Sequence, residues 1–251
     1  MSRKKNERHS AIRSLLLEHQ EMKVADLARE LSVTPETIRK DLDELEEQHI
    51  IVREHGRASL FTAITELPIE FRSREFADEK RRVTMRAFQE ISNGQIVYLD
   101  SGSTLLSGIQ MLRSKKDLTI VTTNIPLAIE CVSMGFEVIV IGGQLHRSAY
   151  NTYGPIAMEA LKHLHFDVAI LGISGLCGKN EFALNTLESA AIDREVISRS
   201  DQVIIIMNRN KIYQKGHYPF ISFDETRQLI TGRLSNQERN LFTTIESVIE
   251  V

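Results

Sequence analysis

Five short runs of apolar, largely β-branched residues set the strongest limit on what this chain can become. They are Ile96-Val97-Tyr98-Leu99, Leu118-Thr119-Ile120-Val121, Phe136-Glu137-Val138-Ile139-Val140-Ile141, Phe166-Asp167-Val168-Ala169-Ile170-Leu171-Gly172 and Gln202-Val203-Ile204-Ile205-Ile206. Stretches with a helical pattern separate them. A strand that is apolar on both faces must be covered on both faces, and intervening helices supply that cover. The alternation therefore predicts an α/β domain with a mostly parallel sheet. No fixed-period repeat accompanies it, so the repetition is topological.

Ligands of open α/β sheets bind beyond the carboxyl ends of the strands. Here the segments following the runs are rich in small and hydroxyl residues: Asp100-Ser101-Gly102-Ser103-Thr104, Thr122-Thr123-Asn124 and Gly142-Gly143. The first suits an oxyanion, with a glycine for close backbone approach, three hydroxyls and a helix start behind it. It lacks the lysine and spacing of a Walker A loop, and it is not G-x-G-x-x-G. Taken alone, these five residues fit a helix cap better than an anion site, and a double glycine is usually a turn. Three such loops after consecutive strands favour a shared site.

The amino-terminal part reads differently. Thr34 is a good N-cap, Pro35 suits the first helical position, and Ile38, Leu42 and Leu45 share one face. Val24 to Leu31 forms a second amphipathic segment with Leu27, Ala28 and Leu31 on one side, and Ser32-Val33 leaves only a tight turn between them. A first helix over about 6–19, with Ile12, Leu15, Leu16 and Leu17, completes a small bundle. Ile50-Ile51-Val52-Arg53 and Ala58-Ser59-Leu60-Phe61 can pair as a hairpin around Glu54-His55-Gly56-Arg57. Two core helices with a solvated face would explain the helix pair alone; the added hairpin favours a winged helix-turn-helix, whose second helix enters the major groove. The candidate DNA contacts are Thr34, Glu36, Thr37, Arg39 and Lys40 on the helix, and Arg53, His55 and Arg57 on the wing.

These residues carry a family resemblance. Leu27-Ala28, Val33-Thr34, Thr37-Ile38-Arg39-Lys40-Asp41-Leu42 and His55-Gly56 resemble the DeoR family of bacterial transcriptional regulators. In the second half Asp100 to Thr104, Thr122 with Asn124, Gly142-Gly143, Gly154-Pro155, Gly172, Glu188 and Lys211 match as well, so the resemblance spans nearly the whole chain. It implies an effector domain resembling the sugar-phosphate isomerase and CoA-transferase fold, with a phosphorylated sugar or related metabolite as effector. Asp100, Ser101, Gly102, Ser103 and Thr104 would hold its phosphate or hydroxyls, and Lys211 would add positive charge. Thr122, Thr123, Asn124, Gly142, Gly143, Gly154, Glu188 and Asn208 complete the candidate effector residues.

The chain departs from the family pattern at four places. Arg57 stands where a second glycine usually follows His-Gly. Asn208 replaces the usual Asp three residues before Lys211. Thr122-Thr123-Asn124 stands for Thr-Asn-Ser, and Gly232 follows Ile-Thr where an Asp is common. Asn208 keeps an aspartate's shape without its charge, which points to a more anionic ligand or to weakened recognition of sugar hydroxyls.

With 251 residues the chain accommodates two ordinary domains. We expect a winged helix-turn-helix over 1–61, a linker over 62–78 containing Pro68, and an effector-sensing and oligomerisation domain over 79–251 whose first helix opens at Glu79-Lys80-Arg81. A hydrophobic content of 42% with 26% charged residues is that of a soluble protein. No apolar run approaches the roughly 18–20 residues needed to cross a bilayer, and Ser2 to His9 is polar, so a cytoplasmic protein without membrane association is expected. Cys131 and Cys177 lack metal-ligand spacing and read as free thiols, with a disulfide between them as the alternative. No metal or cofactor is expected.

The net charge of −3 does not favour DNA. Its distribution does, with Arg3, Lys4, Lys5, Arg8 and Arg13 in the first segment and further cations around the second helix and wing. The acidic group Asp41, Asp43, Glu44, Glu46 and Glu47 is expected to face away from the duplex. The reading is an operator-binding repressor of a carbohydrate-metabolism operon, acting as a homodimer or homotetramer. The alternative is a sugar-phosphate enzyme using Asp100 or Glu188 as base. It is disfavoured because Asn208 stands where a second carboxylate would serve best, and His146, His163 and His165 look like surface residues.

Overall fold

The computed structural model describes residues 3–19, 21–47, 50–54, 56–60, 69–146 and 149–251. They divide into two units, Met1–Thr65 and Glu66–Val251. The first unit runs α1 (Arg3–His19), β1 (Glu21–Lys23), α2 (Val24–Glu30), α3 (Pro35–Glu47), β2 (Ile51–Glu54) and β3 (Arg57–Leu60). Ile12 and Leu16 of α1, Leu27 and Ala28 of α2, and Ile38, Leu42 and Leu45 of α3 are buried together with Ile50, Ile51 and Ala58. The helical spacing of these apolar residues is what folds the bundle. The turn between α2 and α3 is tight because Ser32 adopts a left-handed conformation (φ 52°) and Val33 N–H closes back on Ala28 O at 3.0 Å. The expected hairpin gains a third strand, since β1 pairs antiparallel with β3, giving the order β1-β3-β2. His55 and Phe61 lie outside the described residues, as do the remaining residues to 68.

The second unit opens with α4 (Ile69–Arg74) and α5 (Ala77–Gln89), then β4 (Ile96–Leu99), α6 (Ser103–Gly108), β5 (Thr119–Thr122), α7 (Ile125–Ser133), β6 (Glu137–Val140), β7 (Gln144–Leu145), β8 (Thr152–Tyr153) and α8 (Pro155–Leu161). It continues through β9 (Phe166–Gly172), β10 (Gly175–Cys177), β11 (Glu181–Leu184), α9 (Leu187–Ser198), β12 (Ser200–Met207), β13 (Tyr218–Ser222), β14 (Gln228–Thr231), α10 (Asn236–Arg239) and β15 (Ser247–Glu250). The linker expected over 62–78 is therefore only partly a linker. Ile69–Arg74 is helical, Ile69 is buried, and α5 begins at Ala77 rather than Glu79.

All five apolar runs become strands of one seven-stranded sheet in the order β15-β14-β12-β9-β4-β5-β6, and every pairing in it is parallel. The period-two alternation of strand side chains explains the near-continuous runs. Tyr98, Ala169, Leu171, Ile205, Met207 and Leu229 enter one core with α8 and α9 residues. Their neighbours Val97, Leu99, Val168, Ile170, Ile204, Ile206 and Ile230 enter the other, with Val83, Ala87 and Phe88 of α5 and Leu127 of α7. Each such side chain contributes about 1.5–3 kcal/mol by leaving water, so the two cores fix the sheet and with it the loops at its carboxyl edge. A separate antiparallel sheet, β10-β11-β13, packs Phe182 into the first core.

Candidate DNA-binding surface and effector site

The start of α3 presents exposed polar residues. Thr34 Oγ1 caps α3 by accepting Thr37 N–H at 3.2 Å, and Thr37 Oγ1 lies 2.9 Å away. Glu36, Arg39 and Lys40 are exposed, with Arg39 held to Glu36 at 2.8 Å. An exposed i,i+3 pair of this kind contributes little, so Arg39 is readily redirected to another partner.

Several other cations are paired within the unit. Asp41 is 1% exposed and does not face outward at all; it accepts Arg8 Nη2 at 2.9 Å and Arg8 Nε at 2.5 Å, with His9 Nε2 at 3.0 Å. Burial alone would raise this carboxyl, but hydrogen bonds from Arg8 and His9 outweigh it and hold Asp41 below its ordinary value. Lys5 pairs with Glu44, and Arg13 is buried. Lys5 and Arg8 thus tie α1 to α3. Arg53 bridges Asp43 and Glu46, and Arg57 pairs with Glu21.

In the second unit, chain order reverses direction across the sheet between β4 and β9. From β4 the path builds outward through β5 and β6, then returns to β9 on the other side. That is the topological switch point at which ligands of α/β sheets bind. Asp100 follows β4 there, 7% exposed, and its Oδ2 accepts the N–H of Gly172 at the end of β9 at 3.0 Å. Its Oδ1 accepts Ser101 N–H at 2.5 Å. The loop after β5 is tied to the same place, since Asn124 Nδ2 donates to Ser101 O at 3.1 Å while its Oδ1 caps α7 through Leu127 N–H at 2.8 Å. Ser103 and Thr104 begin α6 and are buried, as are Thr122 and Thr123; Ser101 and Gly102 are half-buried. After β12, Asn208 is 1% exposed, and its Oδ1 has no hydrogen-bond partner among the described residues. Lys211 lies in the following turn, half-buried, donating to Gln214 Oε1 at 2.7 Å.

Other sequence candidates have backbone reasons for being where they are. Gly143 has φ +147°, and a Cβ there would lie 2.4 Å from Tyr153 O, so β8 requires the glycine. Gly142 precedes it, exposed, beyond β6 at the sheet edge. Gly154 has φ +96° immediately before α8, and Glu188 is exposed in the first turn of α9. His163 and His165 are surface residues as expected, beside Glu159 (3.5 Å) and Asp201 (2.8 Å). Gly232 leaves room for another residue, because a Cβ there would meet Glu79 Oε1 at 2.0 Å, and that carboxylate accepts Arg209 N–H at 2.6 Å.

Two buried charged residues beside the candidate site were not among those expected. Lys80 of α5 is 3% exposed and donates to Ser103 Oγ at 3.1 Å and to Arg72 O. Burial, then the charge of Lys211, lowers its pKa to about 7. Asp193 of α9 is fully buried, and burial followed by the Asp100 charge holds its carboxyl well above the usual range. The signal for Lys80 was available: it precedes Val83 by three and Thr84 by four, on the apolar face of α5.

Residues 8–63 match the family model described as the DeoR-like helix-turn-helix domain, and residues 75–233 match the DeoR C terminal sensor domain. The chain belongs to the DeoR family. Members are DNA-binding transcriptional regulators, so the winged unit is a DNA-binding unit and the α/β unit a sensor domain. Among DeoR-family relatives, the glycerol-3-phosphate regulon repressor of Escherichia coli is 29% identical over 83% of this chain and 83% of its own length. The transcriptional repressor GlcR of Bacillus subtilis is 30% identical over 92% of this chain and 90% of its own. The lactose phosphotransferase system repressor of Staphylococcus epidermidis is 26% identical over 98% of both. Among the described residues, no helix is long and apolar enough to cross a membrane, and no cluster of side chains forms a metal site.

Proposed function

We propose that this DeoR-family protein represses a carbohydrate-metabolism operon and is gated by a phosphorylated sugar or related metabolite. The observation that carries the reading is the loop cluster at the switch point. Asp100 is locked to Gly172, Asn124 is locked to Ser101, and Ser103 is bonded to the buried Lys80, so polar groups from the loops after separate strands and an amine from α5 are preorganised together. The names of the relatives, which regulate glycerol 3-phosphate and lactose systems, support the same ligand class for this chain. Thr34, Glu36, Thr37, Arg39 and Lys40 form the DNA-reading face, with the wing beside it.

Gating requires a difference in effector affinity between two arrangements of the protein, and no turnover. Absence of catalysis is also consistent with Asp100, whose two carboxylate oxygens already accept backbone N–H groups, and with an amide at Asn208. The working form is a homodimer or tetramer, so that two α3 helices reach half-sites roughly 34–36 Å apart. A thermal-shift screen against phosphorylated metabolites tests the proposal. An effector at a hundredfold its Kd adds about 2.7 kcal/mol of stability, and Ser103→Arg removes that response while the apo chain still binds DNA. A panel of phosphorylated sugars and polyols that leaves the second unit's melting unchanged, or that is turned over, defeats the reading.

A further inference from the structure

The proposed effector site includes a buried lysine bonded to Ser103, and the further role assigned to that lysine rests on the effector reading. Lys80 sits on the apolar face of α5, where an ammonium group is costly unless its donors are received. It has three N–H donors and, among the described residues, two acceptors, Ser103 Oγ and Arg72 O, both uncharged oxygens. Ser103 belongs to the effector loop. Arg72 belongs to α4, the first described helix after the segment leading from the DNA-binding unit. A second bond ties the same elements together, since Ser107 Oγ of α6 donates to Ser73 O of α4 at 3.0 Å. We infer that Lys80 is both an anion-receiving residue of the effector site and its link to α4: a phosphate-class dianion settling on Ser103 takes the ammonium from the Arg72 carbonyl and loosens α4 from α6.

The electrostatics fit a dianion better than a neutral sugar. The groups facing Lys80 are Lys211 from the turn after β12, Arg72 and Glu75 from α4 and its end, and Glu79 from α5. Burial does most to lower the amine's pKa to about 7; the positive groups add to that and the acidic ones oppose it. A dianion between Lys80 and Lys211 favours the charged amine, and binding takes up a proton near neutral pH. The sign follows from linkage. Affinity is greatest below the free-state value of about 7 and falls as the pH rises above it, because a proton must then be captured on binding.

Sulfate is the probe, because it stays a dianion throughout this range, and the full-length chain is titrated with it. Binding is expected to weaken about tenfold between pH 6.5 and 8.5. In lysine-labelled protein, the Lys80 Cε resonance, assigned with Lys80→Arg, is expected to titrate near neutrality and to move to higher pH with sulfate. Amide exchange at residues 72–74 should quicken on saturation. Lys80→Met should bind sulfate weakly at both pH values, and Lys80→Arg should bind at both without the slope, since arginine stays charged. A flat wild-type profile, or Lys80→Met with wild-type affinity, overturns the inference. If Lys211→Met abolishes binding while Lys80→Met does not, the effector site stands and only the role of Lys80 falls. No saturable binding by the wild type, to sulfate or to any phosphorylated sugar, removes both.

Discussion

Replacing Asp41 with asparagine tests how α3 is held. The carboxylate is 1% exposed and takes Arg8 through two nitrogens and His9 through one. Removing one partner of a buried pair costs roughly 3–5 kcal/mol, because the other charge is left uncompensated. Arg8 retains 22% of its side-chain exposure, so water recovers part of that, and we expect about 2–3 kcal/mol. A unit the size of Met1–Thr65 has total stability of about 3–10 kcal/mol. The substitution therefore removes a large fraction of it. Urea unfolding of the full chain, followed by probes in each unit, should show the first unit's transition moving to much lower denaturant while the second unit's stays put. A loss below about 0.5 kcal/mol, the range of neutral surface changes, would refute the claim that this cluster ties α1 to α3. The wild-type pH profile carries the same sign. Because Asp41 is held below its ordinary value, its contribution is complete above about pH 4 and drains away as the pH falls through the depressed value.

Three further outcomes are expected. Arg39→Ala should weaken operator binding by about 1–3 kcal/mol if the side chain leaves Glu36 for a base edge; fluorescence anisotropy at fixed salt reads this, and unchanged affinity takes Arg39 out of the interface. Cys131 is buried with its thiol pushed up to about 12, whereas Cys177 is half-buried, so a thiol reagent should label Cys177 quickly and Cys131 only on unfolding. Gly143→Ala should destabilise the second unit by more than about 1 kcal/mol, since both its φ and the Tyr153 carbonyl oppose a side chain; a neutral melt would contradict that.

Much of the second unit was legible because a doubly covered parallel strand needs apolar residues on both faces, and four of the five runs are buried in this way; the fifth, β6, is an edge strand that leaves Ile139 and Val140 exposed. What escaped was short or mixed. Gln228–Thr231 and Ser247–Glu250 are brief strands near the end of the sheet, and Glu21–Lys23 becomes a strand only because β3 offers it an edge. Pro68 signalled a linker, yet Ile69 starts a helix because α6 gives it a surface to cover. Charge was the least transparent feature. Lys80 stood only at the opening of a helix and Asp41 was expected to face outward, whereas both, like Asp193, are buried. Their positions at helical intervals from Val83, Ile38 and Val196 held the clue. The candidate effector loops were legible by composition, but their mutual ties, Asp100 to Gly172 and Asn124 to Ser101, depend on strand order, which no local pattern encodes.

The most direct measurement is the affinity of the full-length chain for its operator, with and without a saturating phosphorylated sugar selected by thermal shift, in wild type and in Ser103→Arg. A coupling of 1–3 kcal/mol is usual for such linkage, so wild-type affinity should change by about 5–150-fold while the variant binds DNA equally well in both conditions. Equal wild-type affinity with and without a ligand that demonstrably occupies the second unit would contradict the account.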